Sequence, residues 1–238
     1  MLFEFDSLED QKAKIKVIGI GGAGGNAINR MISSGLSGVE FVAINTDAQD
    51  LENNNADTKI QIGKNLTKGL GAGAKSEIGR EAMENEKDAV ANILEDADMI
   101  FVTAGMGGGT GTGAAPIIAE ISRELGALTV GIVSKPFNFE GPKRMNRANS
   151  GLEEMQRNCD TLISIPNQKL ITIADKTTTL VESFQMADNI LYQATRGISD
   201  LINVHGIVNL DFADVEHIMR NMGDAIMGTG VASGEERA

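Results

Sequence analysis

The 238-residue sequence contains no tryptophan, a single tyrosine, two histidines and a single cysteine. One cysteine, Cys159, excludes an internal disulfide and favours a reducing compartment, so we expect its side chain to be a small core residue. His205 and His217 lack the spacing of metal ligands, and we interpret both as surface residues. No apolar run approaches the ~20 residues of a spanning helix, and the N-terminus has no signal-peptide pattern. We therefore expect a cytoplasmic protein without direct membrane contact.

Basic residues are also scarce, since 21 Lys and Arg stand against 33 Asp and Glu, a formal charge of −12. Binding to nucleic acid depends on a basic face, so this charge argues against a nucleic-acid partner. The same charge would repel an anionic membrane surface. A site built from backbone N–H groups needs few cations, however, so acidity does not exclude a phosphate-bearing small molecule as the ligand.

Glycine, in contrast, is abundant, and residues 104–116 read AGMGGGTGTGAAP. Five glycines and two threonines lie between an apolar run at 99–102 and a helical pattern at 114–125. A strand, a glycine loop and a helix in this order present backbone N–H groups to an anion. A flexible linker would not lie between a buried strand and an amphipathic helix. The pattern predicts a phosphate-binding loop.

A second glycine group follows the apolar run 15–20, where Gly19, Gly21 and Gly24 satisfy G-x-G-x-x-G. This motif is shared with nicotinamide-binding folds, in which an acidic residue holds the ribose. Asp47, after the strand predicted at 39–44, could have that role, so this alternative stays open. Residues 69–76 resemble a Walker loop, but Ala74 replaces the required glycine, and the sequence lacks N-K-x-D. The chain is therefore not an ordinary P-loop GTPase.

Strand and helix patterns alternate along the chain. We predict strands at 15–20, 39–44, 59–62, 97–104, 128–134 and 161–165, and helices at 26–33, 77–95, 114–125 and 142–158. We interpret 77–95 as a charged, solvated surface helix. The alternation predicts an α/β fold with a doubly wound, mostly parallel sheet and helices on both faces.

A long helix is predicted at 180–203, where Thr179 and Glu182 form a plausible capping box. Its expected buried face consists of Leu180, Phe184, Ala187, Leu191, Ala194, Ile198 and Leu201. Asp214 is expected to open a further helix that ends near residue 227. We divide the chain into a leader (1–12), a nucleotide-binding domain (13–179), the long central helix (180–203), a loop with its following helix (204–227) and a linker (228–238).

Four separated stretches, GIGGAGGNA (19–27), NTDAQ (45–49), GLGAGA (69–74) and residues 104–116, resemble the tubulin superfamily and its bacterial branch, the FtsZ cell-division GTPases. KPFNFEGPKR (135–144), SIPNQKL (164–170) and NLDFADV (209–215) match in the same order. The resemblance implies GTP and GDP as ligands, with Mg²⁺ held mainly by phosphates and no dedicated metal-binding side chains. It also implies a second domain and a tail beyond residue 238, through which division-ring proteins would bind.

The resemblance implies roles for individual residues. The first phosphate loop comprises Gly22, Ala23, Gly24, Gly25 and Asn26, the second comprises Gly107, Gly108, Gly109, Thr110, Gly111 and Thr112, and Ala72 and Gly73 sense the γ-phosphate. Glu140 and Arg144 would contact the ribose, and Asn167, Phe184 and Asp188 the guanine. Gly21, Asn45, Gly105 and Ser134 complete the set. Glu140 and Arg144 could instead form only an exposed i, i+4 ion pair, and Phe184 could be a plain core residue.

Asp211 and Asp214 follow the long helix, and either could simply cap the next one. From Asp188 to Asn203 the helix rises roughly 22 Å at ~1.5 Å per residue, which takes both acids away from the proposed base pocket. They could reach a nucleotide on the next subunit of a head-to-tail filament. The resemblance implies that Asn209, Asp211 and Asp214 complete the neighbour's GTPase site in a mid-cell division ring. A nicotinamide oxidoreductase and a GTP-binding module without catalysis are the alternatives.

Overall fold

The computed structural model describes residues 13–175, 177–203 and 211–228. Within them, seven strands form a single sheet in the order β3-β2-β1-β4-β5-β6-β7, and every neighbouring pair is parallel. The strands are β1 (Ile15–Ile20), β2 (Glu40–Asn45), β3 (Thr58–Gln61), β4 (Met99–Gly105), β5 (Leu128–Lys135), β6 (Thr161–Pro166) and β7 (Gly223–Ala225). This topology confirms the predicted doubly wound sheet.

Ten helices connect or follow these strands in the described part of the chain. They are α1 (Gly21–Ser33), α2 (Ala48–Glu52), α3 (Lys64–Thr67), α4 (Ser76–Glu84), α5 (Lys87–Leu94), α6 (Thr110–Glu124), α7 (Pro142–Asn158), α8 (Asn167–Ile173), α9 (Leu180–Asn203) and α10 (Phe212–Met219). None of the described helices is both long enough and apolar enough to cross a membrane.

The apolar core has two parts, one on each face of the sheet. Ile18 and Ile20 of β1 belong to the cluster that includes residues of α4, α5, α6 and α7. Val17 of the same strand belongs to the cluster that includes residues of α1 and α9. Because successive side chains of a strand point to opposite faces, a strand covered on both sides is apolar at nearly every position, and in β1 Lys16 is the exception. Cys159 is buried in the first cluster, as predicted.

Both glycine loops become helical earlier than the sequence pattern predicted. Helix α1 begins at Gly21 rather than at residue 26, and α6 begins at Thr110 rather than at residue 114. Glycine disfavours a helix by about 1 kcal/mol, which is why these residues were predicted to be loops. Their close packing outweighs that cost, since a Cβ on Gly24 would lie 2.6 Å from the Thr103 carbonyl oxygen.

The prediction of a single solvated helix at 77–95 is wrong in two respects. The chain forms two helices, α4 and α5, which are separated at Asn85 and Glu86. Both helices have a buried side, which includes Met83 of α4 and Leu94 of α5. The many charged residues of this stretch lie on the solvent side of two amphipathic helices, and they hid the apolar positions that face the core.

The bounds of α9 agree with the prediction, and so does its capping box. The Glu182 N–H donates to Thr179 Oγ1 at 3.3 Å, and the Thr179 N–H donates to Glu182 Oε2 at 2.7 Å. The ends of the predicted buried face are wrong, because Leu180 is 57% exposed and Leu201 is 50% exposed. Phe184 is 39% exposed as well, whereas Ala187, Leu191, Ala194 and Ile198 are buried as predicted.

The helix predicted from Asp214 to about residue 227 is also corrected. Helix α10 ends at Met219, and residues Gly223–Ala225 add strand β7 to the edge of the sheet. The N-cap is Asp211, whose Oδ1 accepts the Asp214 N–H at 2.9 Å. His217 is exposed, as predicted, whereas His205 lies outside the described residues.

A buried carboxylate lies where this last segment joins the domain. Asp160 is 1% exposed, and its Oδ2 accepts the Thr129 N–H at 2.9 Å. Its Oδ1 has no hydrogen-bond partner among the described residues, but Arg123 Nε lies 3.6 Å away. Arg123 also donates to Asn221 Oδ1 at 2.8 Å. The guanidinium therefore compensates the buried charge and holds the turn between α10 and β7.

We expect Arg123→Gln to lower the free energy of unfolding by about 2 kcal/mol, because a buried charge that loses its partner is strongly destabilising. The guanidinium is partly exposed, so the effect should lie below that of a fully buried pair. Urea denaturation at pH 7.5 measures it. The double variant Arg123→Gln/Asp160→Asn should recover most of the loss, and a double variant no more stable than the single one would contradict this account.

Candidate functional site

A cleft of about 330 Å³ opens at the carboxyl ends of three central strands. Ile20, Asn45 and Gly105, the last residues of β1, β2 and β4, line it. The first residues of two helices line it as well, Gly21 of α1 and Thr110 of α6. Free N–H groups and the positive ends of the helix dipoles therefore converge on one cavity, which suits an anion.

Twelve of the residues proposed to hold nucleotide line this cleft. They are Gly21, Gly22, Ala23, Asn45, Ala72, Gly73, Gly105, Gly108, Gly109, Thr110, Gly111 and Arg144. They come from five separate stretches of the sequence. The parallel sheet brings them together because the carboxyl ends of its strands meet at one edge.

Close packing between the loops explains why several of these positions are glycine. A Cβ on Gly105 would lie 2.6 Å from the Cβ of Ala23, and one on Gly109 would lie 2.8 Å from the Cβ of Ala72. Contacts this short are not tolerated between real side chains. The three loops can therefore form a common wall only with glycine at these contacts.

Ten proposed residues do not line the cleft: Gly24, Gly25, Asn26, Gly107, Thr112, Ser134, Glu140, Asn167, Phe184 and Asp188. Some have evident packing roles. Gly107 has φ +99° and lies against Arg144, where a Cβ would be 2.7 Å from the Arg144 carbonyl oxygen. Its N–H donates to Thr112 Oγ1 at 2.8 Å. Gly107 and Thr112 thus close the loop on itself and support the residues that face the cavity.

Glu140 and Arg144 form the ion pair that their spacing predicted, with 3.1 Å between Glu140 Oε2 and Arg144 Nη1. The pair is not simply exposed, because the Glu140 side chain is only 8% accessible while that of Arg144 is 46% accessible. Glu140 Oε1 accepts the Phe137 N–H at 2.7 Å. A carboxylate fixed from two sides holds the guanidinium at the rim of the cleft.

The proposed base-binding residues come from α8 and α9. Asn167 is buried, and its side-chain oxygen has no hydrogen-bond partner among the described residues. Phe184 is 39% exposed, so it is not a plain core residue. Burial raises the pKa of the Asp188 carboxyl to about 6, against the opposite effect of the Arg30 charge. An unsatisfied amide and a poorly solvated carboxyl are groups that a polar ligand would satisfy.

Five cleft residues were absent from the predicted nucleotide set: Ile20, Asp47, Asp50, Gly71 and Ala74. Asp47 was considered only as a ribose ligand for a nicotinamide cofactor. Its Oδ1 accepts the N–H groups of Gln49 and Asp50, at 3.0 and 3.3 Å, as the N-cap of α2. Asp50 Oδ2 accepts from Asn45 Nδ2 at 2.6 Å. A motif search for phosphate ligands misses such residues because carboxylates repel phosphate.

Asp211 and Asp214 are both exposed and do not line the cleft. The C-terminal end of α10 lies at the amino ends of the strands, opposite the cleft. There the Thr161 hydroxyl donates to the Met219 carbonyl oxygen at 2.6 Å, and Arg220 donates to the Gly126 carbonyl oxygen at 3.1 Å. The length of β4 places the amino and carboxyl ends of the strands roughly 20 Å apart at ~3.3 Å per residue. Asn209, the third proposed residue, lies outside the described residues.

Comparison with known proteins identifies the class of protein. The family model for the tubulin/FtsZ GTPase domain matches residues 14–175. An FtsZ dimer from M. jannaschii, described as empty, is 47% identical with a TM-score of 0.86, and the match covers 92% of this chain and 66% of that one. A mutant of the same FtsZ is 49% identical with a TM-score of 0.88, over 91% of this chain and 65% of that one. The GTPγS-bound protofilament of CetZ2 from Haloferax volcanii is 26% identical with a TM-score of 0.74, over 89% of this chain and 64% of that one.

The chain belongs to the tubulin/FtsZ family and contains its GTPase domain. It spans slightly less than two thirds of the length of the solved chains that it matches.

Proposed function

We propose that the chain binds GTP and GDP in the cleft formed by β1, β2, β4 and the starts of α1 and α6. The observation that carries this proposal is the convergence of two helix N-termini and three glycine-containing loops on one cavity at the sheet's carboxyl edge. The Asn167 side-chain oxygen, which has no hydrogen-bond partner in the described part of the chain, and the half-buried Asp188 carboxyl support a guanine site beside it. A carboxylate can accept hydrogen bonds from both N1–H and the exocyclic amine of guanine.

In this proposal the backbone N–H groups of residues 21–23 and 108–111 bind the phosphate oxygens. Arg144, held by Glu140, lies at the rim on the ribose side. Residues 71–74 form one wall of the cleft, in which Ala72 and Gly73 would sense the γ-phosphate. The donors of the proposed phosphate site are main-chain N–H groups. The site therefore needs no cluster of basic side chains and is compatible with the overall charge of −12.

Mg²⁺ fits this site, because the carboxylates of Asp47 and Asp50 line the same cavity as the glycine loops. Oxygen ligands suit this ion, which when bound to phosphates neutralises their charge and stabilises the leaving group. The two aspartates would otherwise repel a triphosphate. In the proposal the phosphates would hold the ion and the two aspartates would lie beside it, while Asn45 fixes the position of Asp50.

We further propose that subunits stack head to tail and that hydrolysis is completed between them. Asp211 and Asp214 would enter the nucleotide cleft of the next subunit and position the attacking water there, together with Asn209. A contact between two different surfaces repeats into a filament when it does not close. The proposed cellular role is assembly into the bacterial division ring in the cytoplasm at mid-cell, with other division proteins as partners.

Identification of a guanine nucleotide by mass spectrometry of the denatured protein would test the ligand class. NADH competing with labelled GTP would instead support the oxidoreductase alternative. GTP turnover per subunit should rise with protein concentration if the site is shared. A chain that binds GTP but shows a flat, concentration-independent turnover, and does not sediment with GTP and Mg²⁺, would be a binding module only.

We expect the affinity for GDP to fall about tenfold per pH unit below pH 6, until Asp188 is protonated in the complex as well, because only the ionised carboxyl accepts both guanine donors. In the free protein the raised pKa has the opposite effect, because the free energy of unfolding falls as the pH rises. Ionised Asp188 destabilises the fold, and this cost is absent below about pH 4 and complete above pH 6.

The control is Asp188→Asn, which removes the titration and leaves the shape unchanged. It should weaken GDP binding at least tenfold at pH 7.5, yet raise the free energy of unfolding by roughly 1–2 kcal/mol once solvent screening is allowed for. Calorimetric titration with GDP and urea denaturation, each at pH 5 and pH 7.5, measure the two effects. Equal pH dependence of GDP binding in both proteins would exclude Asp188 as the recognition group.

A further inference from the structure

The segment between β5 and α7 carries two aromatic rings that determine where Phe184 lies. Phe137 is fully buried and stacks on Phe139, with ring centroids 4.9 Å apart and an interplanar angle of 11°. Phe184 is perpendicular to both, with centroids 5.3 Å from Phe137 and 6.2 Å from Phe139. Edge-to-face pairs of this geometry are attractive, so the two rings restrict the rotation of the third.

The same segment is hydrogen-bonded to the other parts of the proposed site. The Asn138 N–H donates to Gln168 Oε1 at 3.0 Å, and Gln168 follows Asn167 in α8. Glu140, two residues further on, receives the Phe137 N–H and pairs with Arg144. One turn of chain thus connects an aromatic ring, an amide and a guanidinium that are proposed to touch the base and the ribose.

Phe139 is the member of this group whose role packing does not explain. Its side chain is 54% exposed, so about half of this apolar ring stays in contact with water. Its described ring contacts are with Phe137 and Phe184. Phe184 itself stays 39% exposed, which leaves ring surface for a ligand.

We propose that Phe139 is a positioning residue for guanine recognition, which acts by holding the ring of Phe184 in the orientation that stacks on the base. This inference rests on the proposed guanine site. Phe139→Leu should then raise the Kd of GDP about threefold to tenfold, while Phe139→Tyr, which keeps the ring, should not.

A double-mutant cycle on GDP binding, measured by isothermal titration calorimetry on nucleotide-free protein, tests the mechanism. If Phe139 acts through Phe184, Phe139→Leu will have no further effect in a Phe184→Leu background. Phe212→Leu, the same change in α10 on a half-buried ring, is the matched control and should leave the Kd unchanged. Thermal unfolding of each variant reports any loss of stability separately.

Equal losses from Phe139→Leu in both backgrounds would overturn the proposal, because the residue would then act independently of Phe184. An unchanged Kd in the single variant would overturn it as well, and would leave the guanine site intact. If the unmodified chain shows no saturable GDP binding, the proposed function itself fails, and this inference fails with it.

Discussion

Asp214→Asn is expected to reduce GTP turnover by a factor on the order of 100 or more and to leave GDP binding unchanged. A positioned general base contributes at least this much to a hydrolysis rate. The Asp214 side chain is exposed, and the hydrogen bond described for this residue is made by its backbone N–H, so the amide should fold equally well. Steady-state phosphate release at saturating GTP, together with a GDP titration, measures both quantities.

Asp211 requires a more careful substitution, because its carboxylate also caps α10. Asp211→Ala would cost about 1 kcal/mol of stability in addition to any catalytic loss, whereas asparagine remains a good N-cap. Asp211→Asn therefore isolates the charge. If the cap were its only role, turnover in Asp211→Asn would equal that of the unmodified chain.

Mixing two inactive variants distinguishes catalysis between subunits from catalysis within one. Asp214→Asn subunits can still hold GTP, and Asp188→Ala subunits can still supply Asp214. If the acids act on a neighbour, the mixture should regain part of the turnover that each variant lacks alone. Turnover in the mixture that is only the average of the two would place the acids on their own subunit's nucleotide.

Gly113→Ala is expected to destabilise the fold by about 3 kcal/mol or more and to weaken nucleotide binding. A Cβ at this position of α6 would lie 2.1 Å from the Ser76 carbonyl oxygen and 2.5 Å from the Arg80 N–H nitrogen of α4. Both obstacles are backbone atoms, so the two helices must separate rather than a side chain rotate. Because α4 follows the cleft loop that contains Ala72 and Gly73, its displacement would widen the proposed phosphate site.

Gly197→Ala is the matched control, since Gly197 is also inside a helix. Among the described residues its Cβ would meet only Met227 Sδ, at 3.9 Å, so alanine should stabilise α9 by up to about 1 kcal/mol. Thermal unfolding should therefore shift in opposite directions, downward by about 6–12 °C for Gly113→Ala. A neutral result at Gly113 would mean that α4 and α6 can move apart without cost.

The strands and the long helix could be predicted closely from the sequence. Strand β1, α7 and α9 have the predicted bounds, because apolar runs and periodic patterns report local burial directly. The helix starts at Gly21 and Thr110 could not be predicted, since glycine propensity opposes a helix and only contacts with distant strands offset it. The break between α4 and α5 was missed as well, and so was strand β7, which depends on pairing with β6, a strand far away in the sequence.

The composition and motifs of the sequence determined the fold class and the family, and they predicted the phosphate loops, because glycine at a fixed spacing has few physical uses. Tertiary structure decided which glycines face the cavity and which ones pack, since Gly108 and Gly107 are adjacent in the sequence but only Gly108 lines the cleft. It also decided the environment of Asp188, because solvation and the charge of Arg30 depend on elements far apart in the chain. A residue's type is local information, whereas its burial, its partners and the direction of its pKa shift depend on the whole fold.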